Sequence, residues 1–270
     1  NDFRAVLHNS QNITGKFRKL IKIITYSPLQ QWALKKYAKR IIVYMGYQYN
    51  PFIVAYNLQH KTHKLCYPKD VINYSVPVDE ELKKKYVKYK VVFFMFSRHT
   101  WSSAWNEYKG NDKFLRAFAK FVKEKNPNVL LITSNKGIDI EKSKKIINDE
   151  NIDSYVEWIN DLPKYLFKKY QSLPNMVMVD NFWHNQWYIQ FPEDRNSPKV
   201  GFGFGGIESM ASSRPIITAF KDHDFYNGEK PPILDAFTEE EIFTKINQAY
   251  DMTIDELQEM GRKGYEFAVK

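Results

Sequence analysis

From Val91 onward, apolar and polar positions switch repeatedly between two spacings. Val91 to Phe96 is a continuous apolar run, which suits a strand covered on both faces. Residues 111 to 125 change to helical spacing, with Phe114, Ala117, Phe118, Phe121 and Val122 on one side and Lys113, Arg116, Lys120 and Lys123 mostly opposite. Asn128 to Thr133 predicts a second buried strand and Ile140 to Asp149 a second helix. Tyr155 to Ile159 and Met176 to Val179 predict short strands around a helix at Leu162 to Tyr170. Pro215 to Phe220 predicts one more strand, followed by helices at Thr238 to Tyr250 and Asp255 to Lys270. Strands alternating with helices of this length imply a parallel sheet with helices on both sides.

The first 85 residues read differently. Phe17, Leu20, Ile21 and Ile24 recur at helical spacing beside Lys16, Arg18, Lys19 and Lys22. Such a basic helix either covers a sheet or leans on an anionic membrane face. Ser27-Pro28 opens a further helix reaching Arg40, and Ile41 to Tyr44 is a short strand. Cys66 to Asp79, with Pro68 and Pro77, resembles a crossing between domains, so two domains are expected, 1–85 and 86–270.

A chain of 270 residues can bury a sizeable core, and 16% aromatic content excludes disorder. The single cysteine, Cys66, rules out an internal disulfide framework and points to a reducing compartment. No apolar run reaches the ~18–20 residues of a membrane span, and the N-terminus lacks the order of a secretory signal. A cytoplasmic protein is expected. The net charge of +9 favours an anionic partner, although lysine runs such as Lys83 to Lys85 also suit a solvated helix face. The chain begins at Asn1 without methionine and stops within a helical pattern, as a piece of a longer polypeptide would.

The densest chemistry lies in VGFGFGGIESMASSRPII, residues 200 to 217. Gly201, Gly203, Gly205 and Gly206 lead towards a helix expected at Ile207 to Ser212. Glycines before a helix N-terminus let the backbone approach an anion. Glu208 would suit a bidentate grip on two ribose hydroxyls, or it merely complements the helix dipole. Arg98 follows the first strand of this half, and Lys109-Gly110 opens the first helix. Two cations at the carboxyl ends of strands could clamp a diphosphate; taken singly, each is a surface charge.

Together these residues resemble the C-terminal domain of retaining glycosyltransferases of family 4, which have the GT-B fold. That pattern places an Arg after the first strand, a Lys-Gly opening the first helix, and a glycine-rich turn followed by Glu-Ala-Met-Ala and Pro. This chain has Arg98, Lys109-Gly110, and Glu208-Ser209-Met210-Ala211 with Pro215. Asn1-Asp2-Phe3-Arg4 is similar to the Gly-x-Asp-x-Arg stretch of some members, and residues 73 to 79 (NYSVPVD) to the segment leaving the N-terminal domain. The resemblance implies an α/β, GT-B fold of two Rossmann-like domains, the C-terminal one nearly complete and the N-terminal one lacking its start. It implies transfer of a hexose from a UDP- or GDP-type sugar to a glycan or lipid-linked acceptor, with retention and without a metal or other cofactor. Arg98 and Lys109 would bind the diphosphate and stabilise the leaving group. Glu208 would hold the ribose, the turn residues Gly203, Phe204, Gly205 and Gly206 would line the donor, and Trp158 would lie at the nucleobase.

The departures are specific. Members carry a second carboxylate eight positions before the ribose-binding one; here Val200 stands there. Asp180, in the run Val179 to Phe182, resembles the Asp of an Asp-Gln-Phe subgroup and would either contact the donor or cap a turn. Residues 184 to 199, rich in Trp, Tyr and Asn, would form a flap. Ser213 replaces the usual glycine before the Arg-Pro pair, and His8 has no assigned role. Two other readings stay open: an epimerase or hydrolase on the same scaffold, which needs carboxylates at the sugar, and a non-catalytic nucleic-acid binder driven by the basic charge.

Overall fold

The computed structural model describes residues 29, 32–33, 35–44, 57–65, 71–72, 74–102, 108–182, 204–220 and 229–270. The chain separates into two compact units, Asn1–Pro68 and Lys69–Lys270. In the first, residues 29, 32–33 and 35–37 are helical. Strand β1 (Ile41–Tyr44) pairs in parallel with β2 (Thr62–Leu65), Ile41 opposite Thr62 and Tyr44 opposite Leu65. Asn1 to Arg4, His8 and the basic segment 15–24 lie outside the described residues.

The second unit opens with α1 (Glu80–Tyr86), capped by the Asp79 carboxylate accepting from the Leu82 N–H. It then alternates β3 (Val91–Met95), α2 (Asn111–Lys125), β4 (Val129–Ser134), α3 (Ile140–Asp149), β5 (Val156–Ile159), α4 (Lys164–Gln171) and β6 (Met176–Val179). After β6 come α5 (Phe204–Ala211), β7 (Ile216–Thr218), β8 (Leu234–Asp235), α6 (Glu239–Asp251) and α7 (Ile254–Ala268). Every ladder in this sheet is parallel, in the order β5-β4-β3-β6-β7-β8.

The apolar runs read as central strands because both sheet faces are covered. Val91, Phe93 and Met95 enter one core with Phe114, Phe118 and Phe121 of α2, Ile146 of α3 and Ile242 of α6. Val92 and Phe94 enter the other, with Tyr86 of α1 and Phe167 of α4. Burial of one large apolar side chain is worth about 1.5–3 kcal/mol, and all five residues of β3 are buried. Helices α6 and α7 start on reciprocal capping boxes, Thr238 with Glu241 and Thr253 with Glu256. Strand order runs outward from β3 in one direction, then returns past it to β6. Between the carboxyl ends of β3 and β6 the connections diverge, which opens the crevice where sheets of this type take ligands.

Candidate functional site

The loop after β3 forms one wall of that crevice. Arg98 is exposed there, and Lys109, half-buried, lies at the loop's other end. The Lys109 N–H donates to the Thr100 carbonyl at 2.7 Å, and the Lys109 carbonyl accepts from the Phe182 N–H at 2.9 Å. The loops leaving β3 and β6 are therefore tied together at the switch point. Gly110 follows with φ 68°, and a Cβ there would stand 2.8 Å from the Phe182 carbonyl oxygen, so this junction requires glycine.

A buried polar relay fixes the base of the same loop. Trp101 Nε1 donates to Ser143 Oγ at 2.9 Å, and Thr133 Oγ1 donates to the Met95 carbonyl at 3.0 Å. His99 sits between them, Nδ1 2.9 Å from Ser143 Oγ and Nε2 2.9 Å from Thr133 Oγ1. Because a carbonyl can only accept, Thr133 must receive its proton from Nε2, and Nδ1 accepts from Ser143. Burial pushes the imidazole down to about 4, against the Ser134 backbone and Asp139, which both favour the charged form. Asp139 in turn accepts from the Trp101 and Ser102 N–H groups at 2.7 and 2.9 Å. Burial opposes its ionisation, yet the Ser102 hydroxyl and these N–H groups hold its carboxyl at about 2.

The other wall is the start of α5. This helix begins at Phe204, three residues before the expected Ile207, so Gly205 and Gly206 lie inside its first turn and not in the turn before it. The cause is Asp180 at the end of β6, whose carboxylate accepts from the Gly206 N–H and caps the helix. A Cβ on Gly205 would come within 2.9 Å of that carboxylate, so the close approach needs glycine. Burial raises the Asp180 pKa and Glu208 adds to the rise, while Lys109 and the Gly206 N–H oppose it. Its Oδ2 is shut off from solvent and has no hydrogen-bond partner among the described residues.

Glu208, one turn further along α5, is only 8% exposed. Its Oε1 accepts from Lys164 Nζ, the first residue of α4. Tyr74 lies beside the pair, with Lys164 and Lys168 Nζ 5.2 and 4.4 Å from its ring centroid. Burial first, and then the Glu208 carboxylate, push the Tyr74 phenol up from its ordinary value. The buried acid is thus held by an ammonium and faces a phenol.

Lys109, Asp180, Gly205, Gly206 and Glu208 meet at the crevice, with Arg98 on its rim. Trp158 lies elsewhere: it packs against the core on the α2 side of the sheet, its ring 5.3 Å from that of His99, whereas α4 covers the opposite face. Val200, Gly201, Gly203, the Phe204 side chain and the segment 184–199 lie outside the described residues. Sequence reasoning missed Lys164, Tyr74, Asn111 and His99. For Lys164 a signal existed, since a lysine in a helix's first turn opposes the dipole and needs a tertiary reason. Among the described residues no group of three His, Cys, Asp or Glu could hold a metal ion, and no helix is long and apolar enough to cross a membrane.

No protein-family model and no curated protein matches the chain. Solved structures do. HepE of Anabaena, in complex with UDP and glucose, superposes with a TM-score of 0.63 at 14% identity over 89% of this chain and 61% of that one. TarM of S. aureus, in complex with fondaparinux, alpha-GlcNAc-glycerol and UDP, gives 0.58 at 18% identity over 97% of this chain and 45% of that one. The C-terminal domain of LpcC, a glycosyl transferase group 1 family protein of Francisella tularensis, gives 0.52 at 16% identity over 75% and 97%.

The fold is that of the GT-B glycosyltransferases.

At these identities the likeness is one of fold. The chain spans 61% of the length of HepE and 45% of that of TarM. Within the GT-B frame the crevice between β3 and β6 lies at the switch point of one Rossmann-like unit, the place where open α/β sheets take ligands.

Proposed function

We propose that this chain is the donor-binding part, with a portion of the acceptor part, of a retaining, metal-independent hexosyltransferase that uses a nucleotide-diphosphate sugar. In this reading residues 86–270 bind the donor and residues 1–85 contribute to the acceptor side. One observation carries it: at the switch point of the sheet, Lys109 and the glycine-led start of α5 flank the buried carboxylates Asp180 and Glu208, with Arg98 on the rim. The resemblance to family 4 supports the same assignment, and HepE and TarM were crystallised with UDP.

In this mechanism Arg98 and Lys109 grip the diphosphate. As the bond from the anomeric carbon to the diphosphate oxygen breaks, its electron pair moves onto the phosphate, the acceptor oxygen bonds the anomeric carbon from the same face, and the hydroxyl proton passes to the departing phosphate oxygen. Fixed cations and N–H groups then neutralise the growing charge where little water competes. Glu208 takes the ribose hydroxyls, sharing its carboxylate with Lys164. Gly203, Phe204, Gly205 and Gly206 line the donor, and Asp180 holds the start of α5 in place, its carboxylate accepting from the Gly206 N–H. The acceptor is a glycan or lipid-linked hydroxyl, and the enzyme works in the cytoplasm, against the membrane where the acceptor is lipid-linked.

Calorimetric titration with UDP, GDP and ADP tests the proposal. One nucleotide, UDP by preference, binds in the micromolar range, and Glu208→Ala weakens it at least about tenfold, or 1.4 kcal/mol. No binding of any of the three would sink the reading. The enclosed carboxyl of Asp180, with its raised pKa, keeps a hydrolase in view; release of free sugar from the nucleotide sugar, undiminished by any acceptor, would favour it.

A further inference from the structure

We propose that Asn111 is a positioning residue that sets the placement of the two donor-phosphate cations, Arg98 and Lys109. This rests on the donor-site reading above. Asn111 is the first residue of α2 and is 1% exposed. A polar side chain at that place usually serves its own helix terminus. This one turns back across the loop instead: Oδ1 accepts from the Thr100 N–H at 3.2 Å, and Nδ2 donates to Ser97 Oγ at 3.1 Å. Its two partners bracket Arg98 in the chain. The Thr100 carbonyl then accepts from the Lys109 N–H at 2.7 Å, which closes a ring of hydrogen bonds through residues 109 to 111. Ser97 is itself held, its carbonyl accepting from Ser134 Oγ of β4 at 3.0 Å.

A buried amide therefore adds a second tie, beside the Lys109–Thr100 bond, between the two ends of the loop that carries both cations. Without that strut the stretch carrying Arg98 would be set less firmly against Lys109, and a diphosphate would have to fix the two like charges as it bound, at a cost in affinity. With it the pair is pre-set before the ligand arrives. The strut acts on the phosphates alone, because none of its bonds reaches Glu208 or the β5 edge of the sheet.

The discriminating measurement is the ratio of UDP to UMP affinity by calorimetry, for wild type and Asn111→Leu, which keeps the size and removes both hydrogen bonds. The expected result is a loss of about tenfold or more for UDP with little change for UMP, and a shallower salt dependence of UDP binding. Equal losses for both ligands would mark a general disturbance of the fold and overturn the inference, as would an unchanged ratio. If Asn111→Leu does not fold, Ser97→Ala decides, since it removes only the Nδ2 partner. Its UDP to UMP ratio should fall about threefold, and an unchanged ratio rejects the strut. Should wild type bind neither nucleotide, the donor-site reading fails and the strut with it; should wild type bind UDP while the variants keep the ratio, only the strut fails.

Discussion

Gly261, in the middle of α7, offers a test in which helix propensity and packing demand opposite signs. Replacing a mid-helix glycine with alanine ordinarily stabilises by about 1 kcal/mol. Here an added Cβ would lie 2.0 Å from the carbonyl oxygen of Ser213 and 2.6 Å from its carbonyl carbon. Relief to an ordinary 3.4 Å contact asks for about 1.4 Å of separation between α7 and the turn joining α5 to β7. That turn has little freedom to move. Ser213 sits at φ 55°, its N–H donates to the Met210 carbonyl at 2.9 Å, and the Arg214 N–H donates to the Ser209 carbonyl at 3.0 Å. Overpacking against fixed atoms costs about 1–3 kcal/mol or more, and with backbone on the far side the upper end applies. Net of the helix gain, Gly261→Ala should lose about 2 kcal/mol. At about 2–4 °C per kcal/mol for a unit of this size, Tm falls by about 4–8 °C in a calorimetric melt. Gly264→Ala is the internal control. It lies in the same helix with the same intrinsic gain, but its nearest neighbour is the flexible Met210 side chain at 3.3 Å. Its Tm should stay level or rise slightly. If the two variants melt alike, or Gly261→Ala melts at or above wild type, the close approach of α7 to this turn is not what the structure makes it.

Two further outcomes follow from buried groups. Arg214 Nε donates to the Ser212 carbonyl at 3.2 Å and Nη1 to the Leu173 carbonyl at 3.1 Å, so one cation satisfies the carboxyl ends of both α5 and α4. Arg214→Gln should cost about 1.5–3 kcal/mol in urea unfolding while UDP affinity holds; a loss of affinity without loss of stability would assign Arg214 to the ligand. His99 is neutral in the fold, with a pKa of about 4 against 6.5 when unfolded. The unfolded chain therefore binds the extra proton between these values, and stability falls as pH drops from 6.5 towards 4. At about 1.4 kcal/mol per pH unit the full loss is about 3.5 kcal/mol. His99→Asn should remove that part of the slope when unfolding is compared at pH 7 and 4.5, and parallel slopes would contradict the relay.

What could be read from the sequence, and what could not, divides along a physical line. Strands β3, β4 and β6 were legible because burial on both faces leaves an uninterrupted apolar run, and α2 and α3 because one face is apolar at helical spacing; the bounds of α2, α3 and β6 match the expected ones. Strand β8, two residues long, carries no period to detect. Lys113 was expected to face solvent, but its Nζ bonds the carbonyls of Phe182 and Phe237 at 3.4 and 3.0 Å, contacts 69 and 124 residues away in the chain that no local spacing encodes.

The crevice residues show a different kind of failure, because there the local rules are broken. Lys164 opens α4 against the dipole, with no side-chain cap before it. Two glycines occupy the first turn of α5, where alanine would make a better helix. Ser213 holds a left-handed φ of 55° that glycine would take without strain. Each violation has a tertiary partner: Glu208 for Lys164, the Asp180 carboxylate for Gly205 and Gly206, and the close-packed Gly261 for Ser213. Stability alone does not call for a carboxylate buried at a helix start with a second one only a turn away, since Glu208 adds to the cost of ionising Asp180. Their placement makes sense if a ligand with donors to offer completes the site. The positions where propensity misleads are thus the positions where the crevice is built.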